Sequence, residues 1–292
     1  MISTTMPPHI VTRFAPSPTG RLHIGHGWSA LMAHDRARKN GGVFRLRIED
    51  IDGARSREEH VTGIIEDLAW LGITWDGEVV RQSDRLPVYA AALDRLKAMG
   101  LVYPCFCTRA DIAASASAPH GPEGAIYPGT CRALPLAEQV ARFETTPCAW
   151  RIDMAKAVAL VGRLTWEDAG HGTILADPLG AGDVVLARKD APTSYHLAAT
   201  VDDAAMKISF VLRGRDLMGA TDIHRLLQAL LDLPTPLYRH HSLLIGPDGK
   251  RLAKRSGGIQ LAEMRDAGVD PARLRDDLRR GVFPVGISVR DT

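Results

Sequence analysis

A strand, a rigid loop, a helix and a second strand are predicted, in that order, within the first 48 residues. A short β-type run covers His9 to Phe14, and prolines keep the loop from Ala15 to Gly20 out of a helical conformation. Apolar spacing predicts a helix from Leu22 to Lys39, and the β-rich run Val43 to Ile48 follows a glycine turn. Such a unit builds a parallel sheet with crossover helices, so the expected fold class is α/β.

The later segments continue this alternation, with one interruption. Predicted helices lie at Arg57 to Leu71, Asp84 to Met99, Thr193 to Ala199 and Asp222 to Leu231, and predicted strands at Ala149 to Met154, Asp183 to Arg188 and Met206 to Leu212. The interrupting stretch is rich in loops and cysteines. We therefore expect a first half of the sheet in 1–102, an inserted subdomain in 103–191, a second half in 192–245, and a basic loop with a short helical C-terminus in 246–292.

Composition excludes several classes of protein. A chain of 292 residues, 45% hydrophobic and 24% charged, can bury a proper core. Its apolar stretches are shorter than the roughly 20 residues of a membrane helix, and Met1 to His9 lacks the pattern of a secretory leader. We expect a monomeric cytoplasmic protein with no membrane partner. The net charge of +2 permits a polyanionic partner without requiring one.

Two histidines stand at the start of the first predicted helix. His23 and His26 follow the loop, where unsatisfied N–H groups and the helix dipole favour an anion such as a nucleotide phosphate. Adenylyl transfer needs donors around the α-phosphate and the leaving pyrophosphate, which imidazole and lysine supply. Gly25 leaves room for an adenine ring beside the backbone. The alternative is that both histidines are surface residues at a helix start.

The four cysteines indicate metal binding more than disulfide pairing. Cys105 and Cys107 are two positions apart and cannot pair without strain, and a cytosolic protein keeps its thiols reduced. Cys131 follows, and His120 and Cys148 compete for a fourth ligand position. Buried cysteines without a metal are the alternative.

Ordered motifs along the chain resemble those of class I glutamyl-tRNA synthetases. They are Arg13 to Gly20, His23 to His26, Arg47 to Asp50, Ser194 to Ala198, Val211 to Gly214 and Arg251 to Arg255. The resemblance covers nearly the whole chain. It implies a Rossmann-type class I catalytic domain that joins an amino acid to ATP as an adenylate, with Mg²⁺ accompanying the nucleotide.

The resemblance also implies a glutamate site. Guanidinium groups suit its two carboxylates, and an acid suits its amine. The implied residues are Arg13 and Arg213 for the carboxylates, Glu49 for the amino group, and Ala15, Ser17 and Tyr195 as pocket lining. A solvated strand edge is the alternative for Arg47, Glu49 and Asp50.

Catalysis is assigned, by the same resemblance, to His23, His26 and Lys254. Gly25 and Arg251 join these three in the implied ATP site. The second ATP signature is imperfect, because Arg251 replaces its first lysine and Ala253 replaces its serine. Slow adenylation would point to this loop first, and a merely solvated basic loop is the alternative.

Within the family, the chain resembles a short branch that lacks the helical anticodon-reading domain. As the resemblance implies, that branch activates glutamate without tRNA and attaches it to queuosine at the wobble position of tRNA(Asp). Its zinc ligands are matched here by Cys105, Cys107, Tyr127 and Cys131, which implies one structural Zn²⁺ in the inserted subdomain.

Two other functions stay open at the level of sequence. One is a truncated glutamyl-tRNA synthetase that charges a tRNA 3′ end, and the other is a non-catalytic tRNA-binding regulator, which Ala253 suggests. A basic stretch near the C-terminus contains Arg273, Arg275, Arg279 and Arg280. Helical ion pairs such as Arg273 with Asp277 explain that stretch without RNA.

Overall fold

A computed structural model describes residues 9–53, 55–114, 120–121, 124–249, 252 and 259–290 of the chain. Its helices are α1 (Ile24–Arg38), α2 (Glu58–Trp70), α3 (Leu86–Ala98), α4 (Arg109–Ala114), α5 (Leu136–Phe143), α6 (Met154–Val161), α7 (Tyr195–Ala205), α8 (Ala220–Leu230), α9 (Leu261–Asp266) and α10 (Pro271–Arg279). Among these helices, none has the length and apolar character that crossing a lipid bilayer would require.

The strands are numbered along the chain in the same way. They are β1 (Val11–Phe14), β2 (Val43–Ile48), β3 (Val80–Arg81), β4 (Val102–Cys105), β5 (His120–Gly121), β6 (Gly124–Ala125), β7 (Ala149–Ile152), β8 (Thr165–Asp168), β9 (Gly172–Leu175), β10 (Val185–Ala187), β11 (Phe210–Gly214), β12 (Leu237–His241), β13 (Leu243–Ile245) and β14 (Ser288–Arg290).

Parallel strands from two distant parts of the chain form the central layer. β1 pairs with β2 and β2 with β3, while β11 pairs with β12, all in parallel. The two halves meet where the Ser209 amide donates to the Val11 carbonyl oxygen at 3.0 Å and the Val11 amide donates to Ser209 Oγ at 2.9 Å. β1 therefore lies beside β11, and the predicted α/β class with a parallel sheet is confirmed.

The chain between these halves forms strands of its own. β4, β7 and β10 make an antiparallel sheet with β7 in the middle. The antiparallel pair β8 and β9 instead extends the central layer, because β8 pairs in parallel with β12. An antiparallel unit is thus inserted between strands that carry the candidate site.

Helix α1 packs on the first half of the sheet because its apolar side chains face β1 and β2. Ile24 and Leu31 are buried in one cluster with Phe44, Leu46 and Ile48. Burying a large aliphatic side chain contributes about 1.5–3 kcal/mol, so this interface fixes the start of α1 against the strand ends. The helix ends near Lys39, and Gly41 follows with a φ of 60°, a left-handed conformation that glycine adopts readily.

Differences from the sequence predictions include the following three segments. The strand expected from Met206 begins only at Phe210, because α7 continues to Ala205 and Lys207 then adopts a φ of 56°. β12 was not predicted, since its arginine and two histidines hide its alternation. The C-terminal segment holds the expected short helices α9 and α10 but also β14, which pairs antiparallel with β13.

Candidate active site

A cleft of about 490 Å³ opens where β1, β2 and β11 end and where α1 and α7 begin. Nine of the residues predicted for the glutamate and ATP sites line it, namely Arg13, Ala15, Ser17, His23, Gly25, His26, Glu49, Tyr195 and Arg213. Arg251 and Lys254 lie outside the described residues. Leu252, between them in sequence, lines the cleft, and its amide donates to the Leu244 carbonyl oxygen at 3.0 Å.

The two histidines form the N-terminal cap of α1. His23 Nδ1 accepts a hydrogen bond from the Gly25 amide at 3.1 Å, and His26 Nδ1 accepts one from the His23 amide at 3.1 Å. A ring nitrogen that accepts carries no hydrogen, so each neutral imidazole has its hydrogen on Nε2. Both rings are therefore fixed as Nε2–H donors at the wall of the cleft.

Gly25 makes this cap possible because it has no side chain. A Cβ at this position would lie 3.0 Å from His23 Cε1 and 3.1 Å from His23 Nδ1. Real Cβ contacts are rarely that short, so any larger residue would displace the imidazole.

A buried ion-pair network stands behind the glutamate-site residues. Arg47 is fully buried, and it donates from Nη1 to Asp203 Oδ1 at 2.6 Å and from Nη2 to Glu49 Oε1 at 3.1 Å. Arg13 donates from Nε to the same Asp203 oxygen at 3.1 Å. Asp203 thus bridges two guanidinium groups, and the solvated strand edge considered for Arg47 does not describe it.

Charge and burial act in opposite directions on the two carboxylates of this network. Burial alone would raise the pKa of Asp203, but Arg13 and Arg47 outweigh burial and hold that pKa below its ordinary value. Burial raises the pKa of Glu49 above its ordinary 4.5, although Arg47 and Arg13 favour the carboxylate. As the pH falls from neutral, Glu49 therefore takes up a proton before Asp203 does.

Arg213 has a different environment from Arg13. It donates to four neutral acceptors: from Nε to His240 Nε2 at 3.1 Å, from Nη1 to Tyr195 OH at 3.1 Å and to His224 Nδ1 at 3.4 Å, and from Nη2 to Thr221 Oγ1 at 2.7 Å. Burial and Arg213 lower the pKa of His240 to about 4, and they place that of His224 well below its ordinary value. Both rings are therefore uncharged at neutral pH.

Among the described residues, the positive charge of Arg213 has no carboxylate partner of its own. In the described part of the chain, no carboxylate oxygen lies within 4.0 Å of its guanidinium nitrogens, and the residue is only 5% exposed. A buried cation without an anion is costly unless a ligand supplies one. The site is thus built to receive a negatively charged group at Arg213.

Sequence reasoning missed several residues that shape this site. They are Asp168, Asp203, Thr221, His224 and His240. Asp203 lies on a helix whose polar residues could equally be solvated, and its partner Arg13 is 190 positions away. The one available signal was the run of two histidines at the end of β12.

A second cluster lies in the inserted unit, where Cys105, Cys107 and Cys131 bring their Sγ atoms within 4.8 Å of one another. Tyr127 OH is 3.6 Å from Cys107 Sγ and accepts a hydrogen bond from the Cys131 amide at 2.8 Å. Three thiols and one phenol at these separations fit the donor preference and the four-coordinate geometry of Zn²⁺.

Two other residues were considered for the fourth ligand position. Cys148 packs against the same cluster as a half-buried residue. The His120 side chain lies outside the described residues. Tyr127 OH lies beside the sulfur atoms, so the structure brings together all four residues that the sequence resemblance implied as ligands.

The basic stretch at the C-terminal end forms ion pairs within the protein. Arg279 donates to Asp35 from Nε at 2.8 Å and from Nη2 at 2.9 Å, and Arg280 forms an ion pair with Asp277. Arg273 Nε lies 4.0 Å from Asp277 Oδ2, the helical pair considered above. These contacts account for three of the four arginines without RNA.

Comparison with known proteins places the cleft in a family context. Residues 9–289 match the model of "tRNA synthetases class I (E and Q), catalytic domain". The chain is 48% identical, over 91% of its length and 98% of the relative's, to a glutamyl-Q tRNA(Asp) synthetase from Rhodobacter capsulatus. It is 41% identical, over 90% of its length and 59% of the relative's, to glutamate–tRNA ligase 2 from Ruegeria sp..

A solved structure shows the same fold. The glutamate-tRNA synthetase from Elizabethkingia anophelis superposes with a TM-score of 0.78 at 28% identity, covering 92% of this chain and 61% of that one. The chain thus spans less than two thirds of that synthetase and of the Ruegeria ligase.

Proposed function

The chain belongs to the class I tRNA synthetases (E and Q), a family of ligases, and we propose that it activates L-glutamate with ATP and transfers the glutamyl group to queuosine at the wobble position of tRNA(Asp). The observation that carries the proposal is the cleft that unites Arg213, a buried cation without a carboxylate partner among the described residues, with Glu49, His23 and His26. An amino acid with an extra carboxylate fits this combination of charges.

Glutamate binding follows from the charges in the cleft. The cation of Arg213 attracts a substrate carboxylate, and Glu49 attracts the ammonium group. Arg13 shares the carboxylate of Asp203 with Arg47, so part of its charge is already balanced and it contributes mainly hydrogen-bond donors and shape. Ala15, Ser17 and Tyr195 complete the lining around the substrate.

Activation of glutamate requires hydrogen-bond donors around the phosphates of ATP more than it requires a nucleophilic side chain. The α-carboxylate oxygen of glutamate attacks the α-phosphorus of ATP, a P–O bond forms, and pyrophosphate leaves with the electrons of the bond that breaks. The Nε2–H groups of His23 and His26 hold the phosphate oxygens as negative charge moves to the pyrophosphate. Mg²⁺ bound to the nucleotide would neutralise part of the same charge. Lys254 and Arg251 are the cations we assign to the pyrophosphate.

Transfer then completes the reaction. A hydroxyl oxygen of the acceptor attacks the carbonyl carbon of glutamyl adenylate, and an ester bond forms. The bond between that carbon and the phosphate oxygen breaks, AMP leaves with its electrons, and the hydroxyl proton passes to solvent. An exposed anticodon-loop base can be splayed out to reach a cleft of this kind. The higher identity to the glutamyl-Q synthetase, 48% against 41% for the ligase, supports queuosine as the acceptor.

The inserted unit would hold one structural Zn²⁺ through Cys105, Cys107, Tyr127 and Cys131. Burial raises the pKa of the Cys107 thiol to about 11, so without a metal ion this thiol stays protonated at neutral pH. A zinc ion supplies the charge that makes three thiolates and a phenolate stable in one buried cluster.

A second candidate function is the charging of a tRNA 3′ end, which the 41% identity to a glutamate–tRNA ligase favours. Pyrophosphate exchange with ATP and glutamate, without RNA, tests the activation step first. Labelled glutamate is then offered to tRNA(Asp) with and without queuosine, each either intact or with its 3′-terminal adenosine removed. We expect label on both queuosine-containing samples and on neither of the others.

Each opposing result identifies a different function. Label that disappears with the terminal adenosine would show charging of the 3′ end. No exchange and no label with a zinc-replete sample would leave a non-catalytic tRNA-binding regulator. The variant Arg213→Gln serves as the matched control, since it removes the cation while keeping an amide donor.

A further inference from the structure

Within the described part of the chain, His240 links Asp168 to Arg213 through hydrogen bonds on both of its ring nitrogens. The Asp168 side chain and the His240 side chain are both fully buried. Asp168 Oδ2 accepts hydrogen bonds from the His240 amide at 3.0 Å and lies 2.8 Å from His240 Nδ1. Its other oxygen, Oδ1, accepts from the Gly170 amide at 2.8 Å. Two backbone donors therefore fix the carboxylate in place.

This geometry determines the tautomer of His240. An ionised carboxylate has no hydrogen to donate, so Nδ1 of His240 must carry the hydrogen and donate it to Asp168. Burial by itself would raise the pKa of Asp168, but its hydrogen bonds to His171, His240 and Gly170 hold that pKa below the ordinary value. The neutral imidazole is thus left with a bare Nε2, the atom that accepts from Arg213 Nε at 3.1 Å.

We propose that Asp168 and His240 are positioning residues that hold the Arg213 guanidinium in the orientation that receives a substrate carboxylate. The inference rests on the proposed glutamate activation and deepens it, because it names what sets the recognising arginine. Thr221 Oγ1 lies 3.2 Å from the same His240 nitrogen and 2.7 Å from Arg213 Nη2, so it supports the arrangement from the side.

A histidine between the Asp168 carboxylate and the Arg213 guanidinium keeps the two charges apart. A carboxylate in direct contact with Arg213 would offset its charge, as Asp203 does in part for Arg13 and Arg47. An imidazole supplies an acceptor without a negative charge, while the distant Asp168 fixes its tautomer and ring orientation. Arg213 is thus oriented by an anion that it does not touch, and its charge stays available for the ligand.

Two variants of His240 separate positioning from packing. Asparagine is too short to reach Arg213 but keeps an amide donor near Asp168, whereas glutamine places an amide oxygen near the position of Nε2. Glutamate-dependent pyrophosphate exchange gives the KM for glutamate and for ATP separately. We expect His240→Asn to raise the KM for glutamate about 10- to 100-fold, the loss of a hydrogen bond to a charged group. The KM for ATP stays within twofold, and His240→Gln recovers most of the loss.

His171→Ala is the matched control for this comparison. His171 also contacts Asp168, with Nδ1 at 2.9 Å from Oδ1, but its side chain is 39% exposed and does not take part in the contacts of Arg213. We expect its KM for glutamate to stay within twofold of the wild type. A rise equal to that of His240→Asn would overturn the proposal, because a change that leaves the hydrogen bond between Arg213 and His240 in place would then have the same effect as its loss.

The remaining outcomes also decide the question. An unchanged KM for glutamate in a folded His240→Asn protein overturns the proposal. The proposal also fails if the KM for glutamate rises equally in the asparagine and glutamine variants, in proportion to the fall in their Tm. Failure of both variants to fold shows that His240 supplies packing and refutes a positioning role. A wild-type protein that exchanges no pyrophosphate refutes the proposed function and this inference with it, whereas an active wild type confines any failure to the inference.

Discussion

The imidazole rings of His23 and His26 stack on each other at the first turn of α1, with their centroids 3.7 Å apart and their planes inclined by 29°. The stack is held by the two backbone hydrogen bonds of the helix cap. One side chain therefore has two separable tasks at this position: His23 stabilises the helix through Nδ1 and offers Nε2–H to the cleft.

Substitutions of His23 separate these tasks. His23→Ala removes both, and we expect it to lower the free energy of unfolding by about 0.5–2 kcal/mol, the usual cost of a lost N-cap. His23→Asn keeps a cap acceptor, so its unfolding free energy returns close to the wild-type value. Both variants lose roughly 10²- to 10³-fold in kcat for pyrophosphate exchange, the effect of one lost transition-state donor. Urea unfolding and exchange kinetics check the two effects, and an active His23→Asn would contradict the catalytic assignment.

Gly25 is expected to matter for nucleotide binding more than for stability. Gly25→Ala gains helix propensity of up to about 1 kcal/mol but pushes the His23 imidazole from its position. We expect the KM for ATP to rise about tenfold, equivalent to roughly 1.4 kcal/mol, with little change in Tm. Gly219→Ala is the control, since a Cβ there meets nothing within 4 Å. Equal kinetics for the two alanine variants would count against this account.

The raised pKa of Glu49 predicts the pH dependence of glutamate binding. The carboxylate that attracts the substrate ammonium is present above this pKa and is replaced by the neutral acid below it. We therefore expect the KM for glutamate to increase as the pH falls from 7 toward the raised pKa, which lies above the ordinary 4.5. In Glu49→Gln the KM is high throughout, and any pH dependence that persists belongs to the substrate. Exchange kinetics between pH 5 and 8 measure both proteins.

Zinc content is the direct test of the cysteine cluster. We expect Cys131→Ser to lose the ion, as measured by mass spectrometry of the bound metal, and Cys148→Ser to retain one per chain. Free zinc at 100 times its Kd would stabilise the wild type by about 2.7 kcal/mol, so a chelator should lower its Tm and leave that of Cys131→Ser unchanged. Loss of zinc from Cys148→Ser instead would assign the fourth position to that residue.

Local signals predicted much of the fold. α1 was expected from Leu22 to Lys39 and lies at Ile24–Arg38, because prolines before it and glycines after it limit the helix. β2 was predicted with its bounds, since Val43 to Ile48 is rich in β-formers between clear turn residues. In β12, by contrast, polar residues occupy a strand whose burial depends on neighbours far away in sequence.

The site was predicted where its residues belong to compact motifs and was missed where they depend on tertiary contacts. His23, His26 and Arg213 stand in recognisable motifs and line one cleft. Asp203 and His240 gain their significance only from partners that the fold brings together, and Arg47 finds Asp203 across 156 positions. The residues adjacent in sequence do not indicate such long-range pairings.

The contact between β1 and β11 also has consequences for biogenesis. Its hydrogen bond from Val11 to Ser209 joins residues 198 positions apart. During synthesis β1, β2 and β3 leave the ribosome long before β11 and β12 are made. Pairing between strands so far apart in sequence is slow. The cysteine-bearing insertion can acquire local structure in that interval. We expect the catalytic cleft to be the last part of the nascent chain to form. A ribosome stalled before β11 would then carry a folded cysteine-bearing insertion and a central parallel sheet that is incomplete and exposed.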